Sequence, residues 1–138
     1  MRRVARLADG RRANPFESVV AAELDAVEGL NLVPQFVIED CSEGFFARVD
    51  AADPWLRLVV EADSYEFHGG REAFRADRRR YIELTARGWL VVPVTMPMAM
   101  DTPAWLRRQV RRLVDLREFQ FRMELARRDT TSTRQLRR

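Results

Sequence analysis

The chain has 138 residues, 46% hydrophobic and 33% charged, enough for one domain with its own core and too apolar for disorder throughout. The single cysteine, Cys41, excludes a disulfide framework and any cysteine-based zinc site. All 24 basic residues are arginine, so no lysine is available for a Schiff base, a P-loop or any other catalytic role. No apolar run is long enough for a membrane span, and no apolar stretch follows the Arg-rich start as a secretory signal would require. A cytoplasmic protein with no membrane contact is the expectation.

Residues 1–12 read as a basic irregular lead with a net charge of +4. Asn14-Pro15-Phe16-Glu17 opens a helix: Asn14 caps it, Pro15 suits the first helical position, and Glu17 lies three after the cap as in a capping box. Val19, Val20, Leu24 and Val27 form its apolar stripe, and Gly29 closes it. Leu32 to Ile38 reads as a strand. Gly44 to Val49 reads as a second, ending at Asp50, and Leu56 to Glu61 as a third, with a tight turn at Asp53-Pro54. A loop from Ser64 to Gly70 leads to a helix from Arg71 to Arg87, with Phe74, Tyr81 and Leu84 inward and Gly88 as its stop. Trp89 to Val94 is a continuously apolar fourth strand. Thr102-Pro103 caps a long last helix with Leu106, Val110, Leu113, Val114, Phe121 and Leu125 at helical spacing. From about Asp129 the composition turns to Thr, Ser, Arg and Gln, as in a frayed tail.

The order is helix, three strands, helix, strand, helix. The first three strands are too closely spaced for helical crossovers, whereas the third and fourth are joined through a helix and so are expected to be parallel. This is an α/β fold, a mixed sheet of about four strands flanked by helices. The expected organisation is a basic lead over 1–12, a domain over 13–128 and a flexible basic tail over 129–138.

Charge is unevenly divided. Residues 13–100 carry a net of −7 and residues 101–138 a net of +6. Arginine-rich ends suit phosphate contacts, and concentrated carboxylates suit a divalent cation or acid–base chemistry; an unevenly charged solvated surface is the alternative. Asp50 and Glu61 stand out at strand ends. In a straight hairpin turning at Asp50, Glu61 would lie at the far end, so a bend or bulge is required to bring the two together. Structural readings stand beside these: Glu17 as a capping residue, Asp50 and Asp63 as turn formers, His68 as a loop residue. A carboxylate after Leu-Val-Val, however, needs a partner or a cation.

Asp50, the turn at Pro54, the apolar strand and Glu61-Ala62-Asp63 resemble the Asp…(Asp/Glu)-x-Lys pattern of restriction-endonuclease-like, or PD-(D/E)XK, nucleases. Tyr65-Glu66-Phe67-His68, then Phe74, Asp77, Arg78 and Gly88-Trp89-Leu90-Val91-Val92, are similar to the bacterial very-short-patch-repair endonuclease-like domains, as is the opening helix around Glu17. The resemblance spans roughly residues 13–96. It implies a metal-dependent DNA endonuclease, a hydrolase of phosphodiester bonds, in which Asp50 and Glu61 hold Mg²⁺ or Mn²⁺. Glu17 would complete the acidic site. Asp63 falls where many relatives carry the catalytic lysine, a departure from the pattern. His68, the chain's one histidine, would handle a proton.

Arg71, Arg75 and Arg78 past the site, and Arg107, Arg108, Arg111 and Arg112 on one face of the last helix, are candidate contacts to the DNA backbone. The missing lysine keeps open a catalytically inactive nuclease-fold module that binds nucleic acid or a partner protein. Fusion to, or association with, an N-terminal DNA-binding domain, as in longer relatives, is a further expectation, with this chain as a fragment or a short form of such a protein.

Overall fold

The computed structural model describes residues 15–63 and 71–135. In chain order it holds α1 (Pro15–Leu24), β1 (Val33–Asp40), β2 (Phe45–Asp53), β3 (Leu58–Ala62), α2 (Arg71–Ala86), β4 (Leu90–Val94), α3 (Met96–Met100) and α4 (Pro103–Gln135). The four strands form one sheet in the order β1-β2-β3-β4. The first two pairings are antiparallel and β3–β4 is parallel, as the hairpin and crossover spacings require. The expected mixed sheet of four strands with flanking helices is the architecture observed. The basic lead, the Asn14 cap, the 64–70 loop and the last three residues lie outside the described residues.

Both hairpins are closed by an aspartate that takes up turn amides. At the β1–β2 turn the Ser42 amide and hydroxyl donate to Asp40 Oδ1 (3.2 and 2.6 Å). At the β2–β3 turn the amides of Trp55 and Leu56 both donate to Asp53 Oδ1 at 3.0 Å, and the Asn31 amide donates to Oδ2 at 2.8 Å. Asp53 is only 2% exposed, and these donors explain why a carboxylate is tolerated there.

Each face of the sheet carries its own core. Phe16, Val20 and Leu24 of α1 pack with Leu58, Val60 and Val94 of the sheet and Leu106, Val110 and Val114 of α4. On the other face Ile38, Ala47, Val49, Ala52 and Val59 meet Leu84 of α2. Each large apolar side chain among these, once buried, contributes about 1.5–3 kcal/mol. Leu58, Val59 and Val60 are buried on both faces, which is why β3 reads as an unbroken apolar run.

Strand alternation breaks once. Gln35 has φ +51°, and the β1–β2 pairing passes from Pro34↔Ala51 to Phe36↔Val49 without a Gln35–Asp50 pair. On one side of the break Leu32 joins the α1/α4 core; on the other, Phe36 and Ile38 join the α2 core. In β2 the residues facing α2 step from 47 and 49 to 52. β1 and β2 therefore exchange the faces they present at Gln35 and Asp50.

The helices differ from the sequence expectation in extent. Phe74 is 54% exposed rather than inward, because only the C-terminal turns of α2 cover the sheet, through Leu84. Leu125 is 62% exposed, and among the described residues up to Thr130 the buried positions of α4 end at Val114. The helix nonetheless continues past Asp129 to Gln135. The short α3 is not apparent in the sequence, since Met-Pro-Met-Ala-Met shows no helical periodicity, but Thr95 precedes it in extended conformation and a proline occupies its first turn.

Candidate functional site

The β2–β3 ladder ends at Ala51↔Val60. Beyond it β2 stays with β1 and β3 stays with β4, so the sheet forks. Asp50 and Glu61 are the next residues on either side of the fork. The bend expected to be needed to bring them together is not what does so. β2 runs three residues past Asp50, to Asp53, and the turn lies beyond it, so ordinary antiparallel register sets Asp50 opposite Glu61.

Each carboxylate takes an amide that the parting strands release. The Ala62 amide donates to Asp50 Oδ2 at 2.8 Å, and the Asp50 amide approaches Glu61 Oε2 at 3.5 Å. Glu61 is 5% exposed. Arg80 Nη2 of α2 lies 2.8 Å from Glu61 Oε1, but off hydrogen-bond alignment, so this buried oxygen has a charge neighbour and no hydrogen bond. Arg80 Nη1 also donates to the carbonyl of Arg48 on β2 (3.1 Å).

Burial pushes the Glu61 carboxyl up to about 8; the Asp50 charge adds to the rise, and Arg80 opposes it. The Tyr81 phenol is pushed up to about 12, first by burial and then by the charges of Glu61 and Asp63. Asp63 follows β3 directly, its amide donating to the Val94 carbonyl at 2.8 Å. Glu17, in the first turn of α1, accepts from Gln35 Nε2 at 2.8 Å. Glu17, Gln35 and Asp50 line one shallow pocket between α1 and the sheet. The structure thus gathers Glu17, Asp50, Glu61 and Asp63 at one end of the sheet. His68 lies outside the described residues.

Two site residues escape a reading of the sequence. Gln35 is a polar residue inside a strand, and its left-handed backbone is not legible from residue type. Arg80 stands in an arginine run, Arg78-Arg79-Arg80, where helical spacing does not reveal which member reaches across to β3.

Among the described residues no cluster of three or more His, Cys, Asp or Glu has the arrangement of a metal cage. The donor set at the fork is Asp50 with Glu61. That set suits Mg²⁺, which is commonly held by one or two carboxylates with water and phosphate oxygens filling the remaining positions. The Glu61 oxygen that faces Arg80 without a hydrogen bond is a carboxylate donor of the hard type such a cation prefers.

The arginine groups separate by environment. Arg71, Arg75 and Arg78 are exposed on the early turns of α2, with Arg78 stacked over the rings of Phe74 (4.8 Å) and Tyr81 (5.6 Å). On α4, Arg107 pairs with Glu23 of α1, while Arg111 donates to the Glu28 carbonyl and pairs with Asp115 at 2.9 Å. Arg108 and Arg112 are exposed, the latter 3.4 Å from Gln109 Oε1.

No family model matches the chain. It is 34% identical over 110 residues to each of two proteins of Mycobacterium tuberculosis, the uncharacterized proteins Rv2248 (strain ATCC 25618 / H37Rv) and MT2308 (strain CDC 1551 / Oshkosh). These alignments take in 78% of this chain and 40% of each relative, so the chain spans about two fifths of the length of the curated relatives it matches. Among solved structures it is similar to the catalytic domain of homing endonuclease I-Bth0305I, with a TM-score of 0.57 and 17% identity over 74% of this chain and 95% of that domain. The two share a fold. Among the described residues no helix is long and apolar enough to cross a membrane.

Proposed function

We propose that this chain is a divalent-metal-dependent DNA endonuclease of the very-short-patch-repair-like type, acting in the cytoplasm, with Asp50 and Glu61 as the ligands of Mg²⁺ or Mn²⁺. The observation that carries the reading is the pair of carboxylates at the fork, one of them buried with an oxygen that no hydrogen bond satisfies. The shared fold with a homing endonuclease catalytic domain supports it. A bound divalent cation would supply Lewis acidity at the scissile phosphate and a water of lowered pKa.

The chain's own groups do the rest. Glu61 gives up its proton to become a ligand. Arg80 keeps a positive charge beside it in a protein without lysine. Glu17, held by Gln35, faces the pocket beside Asp50 and orients a water there. Asp63 stands at the pattern's lysine position, and His68 transfers a proton to the leaving group. Arg71, Arg75 and Arg78 hold the backbone phosphates. Fusion to, or association with, an N-terminal DNA-binding domain would add a further DNA contact to this chain.

A second reading has one observation in its favour. The Arg80–Glu61 ion pair already places a cation against the buried carboxylate, as in an inactive nuclease-fold module that only binds. Calorimetric titration with Mn²⁺ and cleavage of supercoiled plasmid separate the two. The expected result is metal binding and nicking, both lost in Asp50→Ala and Glu61→Ala. Cleavage in excess EDTA, or full activity in Glu61→Ala, overturns the metal mechanism. Absence of both binding and cleavage selects the module.

A further inference from the structure

Among the residues of α4 whose burial is described, up to Thr130, the last buried one is Val114, yet the helix runs on to Gln135. At 1.5 Å per residue, that is about 30 Å of helix beyond its last core contact. Four of its five exposed large apolar residues, Trp105 (43%), Leu116 (46%), Phe119 (56%) and Met123 (45%), fall on one stripe; Leu125 (62%) lies off it. The stripe continues through Gln109, Arg112, Ala126 and Thr130, alternating steps of four and three as in the a and d positions of a coiled coil. It lies away from the face that Leu106, Val110 and Val114 turn to the core. Most helical stability in proteins comes from packing an apolar face, and this stripe is exposed, so it calls for a cover.

The flanking charges identify the occupant. We propose that the stripe is the seam of a homodimer in which two α4 helices pack antiparallel about a two-fold axis level with Arg117 and Glu118. In that register Leu116 meets the partner's Phe119, and Met123 lies under the aliphatic stem of the partner's Arg112. Along one flank Asp115 faces the partner's Arg122 and Arg108 faces the partner's Asp129. Symmetry repeats both pairs, so four opposite-charge contacts form and no like-charge contact. On the other flank Leu113 faces the partner's Gln120. A parallel pairing would instead set Arg112 against the partner's Arg112 in the seam, and Arg122 against the partner's Arg127 beside it. Charge complementarity therefore selects the antiparallel form. The geometry also removes the bare end: each unsupported half of α4 lies on the supported half of the other. The dimer is independent of whether the fork is catalytic.

Sedimentation equilibrium of the full chain tests it, with circular dichroism confirming that each variant folds; every substituted residue is exposed. The wild-type chain should be a dimer, and Phe119→Glu should be a monomer. Asp115→Arg or Arg122→Asp alone turns two attractions into two repulsions per dimer, and each should raise the dissociation constant about tenfold or more. The double variant carrying both reversals should return it to near the wild-type value. Ile82→Glu, on the exposed side of α2, should leave the dimer intact. A monomeric wild-type chain, a dimer that survives Phe119→Glu, or single reversals that the double variant does not repair would each overturn the proposal.

Discussion

Glu61 follows three buried residues on β3, and its carboxyl titrates near 8 because burial and Asp50 both disfavour the charge. The sign of its effect on stability follows from proton counting. The folded chain holds the Glu61 proton up to about pH 8, whereas the unfolded chain releases it near the ordinary glutamate value of 4.5. Between those values the native state binds the extra proton, so the metal-free protein should lose stability as pH rises through that window and level off above it. Glu61→Gln, which cannot ionise, should remove this slope. Melting curves of both proteins from about pH 5 to about pH 9 check it, and parallel pH profiles would refute the assignment. Because ligation needs the ionised form, Mn²⁺ should bind more tightly as pH rises over the same window. The sequence exposes Glu61 through its apolar context and Asp50 through its spacing. It does not expose Arg80, since an ion pair between a strand and a helix leaves no local pattern. Asp63→Lys probes the departure from the family pattern: a raised cleavage rate would show that the missing lysine weakens the site, and abolished cleavage that Asp63 is itself needed. His68→Ala should slow cleavage by about 100-fold or more while DNA affinity holds.

Among the elements, the β2–β3 turn and the start of β4 depend on one side chain of α4. Arg117 donates to the carbonyls of Leu56 (2.9 Å), Arg57 (3.1 Å) and Gly88. Two of these carbonyls belong to residues in left-handed conformation, Arg57 at φ +50° and Gly88 at φ +85°, where the chain leaves regular pairing. Arg117→Ala should therefore destabilise the fold by about 2 kcal/mol, the scale of hydrogen bonds to a charged donor. Arg117→Lys should recover only part of that, because an ammonium cannot span three acceptors as a guanidinium fork does. Chemical denaturation measures both, and an alanine variant as stable as wild type would show the guanidinium to be dispensable. The strands, the parallel crossover and the three longer helices are legible because each carries an apolar period or an unbroken apolar run. The end of β2 is not: Ala51-Ala52 are buried but small, and Asp53 looks like a turn residue while ending a strand. Those three residues decide whether Asp50 lies at a turn or opposite Glu61. The last turns of α4, from about Asp129, read as a tail because their composition is polar, although the backbone continues in helix to Gln135.

Across the whole molecule, Glu17, Asp50, Glu61 and Asp63 meet at one end of the sheet, while most arginines lie on the helices. A phosphodiester approaching the fork meets Asp50 and Glu61, so its binding requires positive charge nearby. The α4 arginines are poorly placed to supply it. Arg107 and Arg111 are engaged with Glu23, Glu28 and Asp115, and in the antiparallel dimer Arg108 and Arg112 face the partner. The early turns of α2 carry Arg71, Arg75 and Arg78 exposed on the same helix that sends Arg80 to Glu61. Duplex DNA should bind with little sequence preference and weaken steeply with salt, since each neutralised phosphate releases counterions. Replacing Arg71, Arg75 and Arg78 with glutamine should lower affinity and flatten the plot of log affinity against log salt by roughly 3, at about 0.9 for each phosphate left without its arginine. Replacing Arg107 and Arg111 should instead lower the melting temperature and leave the slope unchanged, because their partners lie within the fold. Fluorescence anisotropy across a salt series reads both slopes, and thermal melts read the stability. A slope that stays constant in the α2 triple variant and falls in the α4 variant would move the DNA-binding face from α2 to α4.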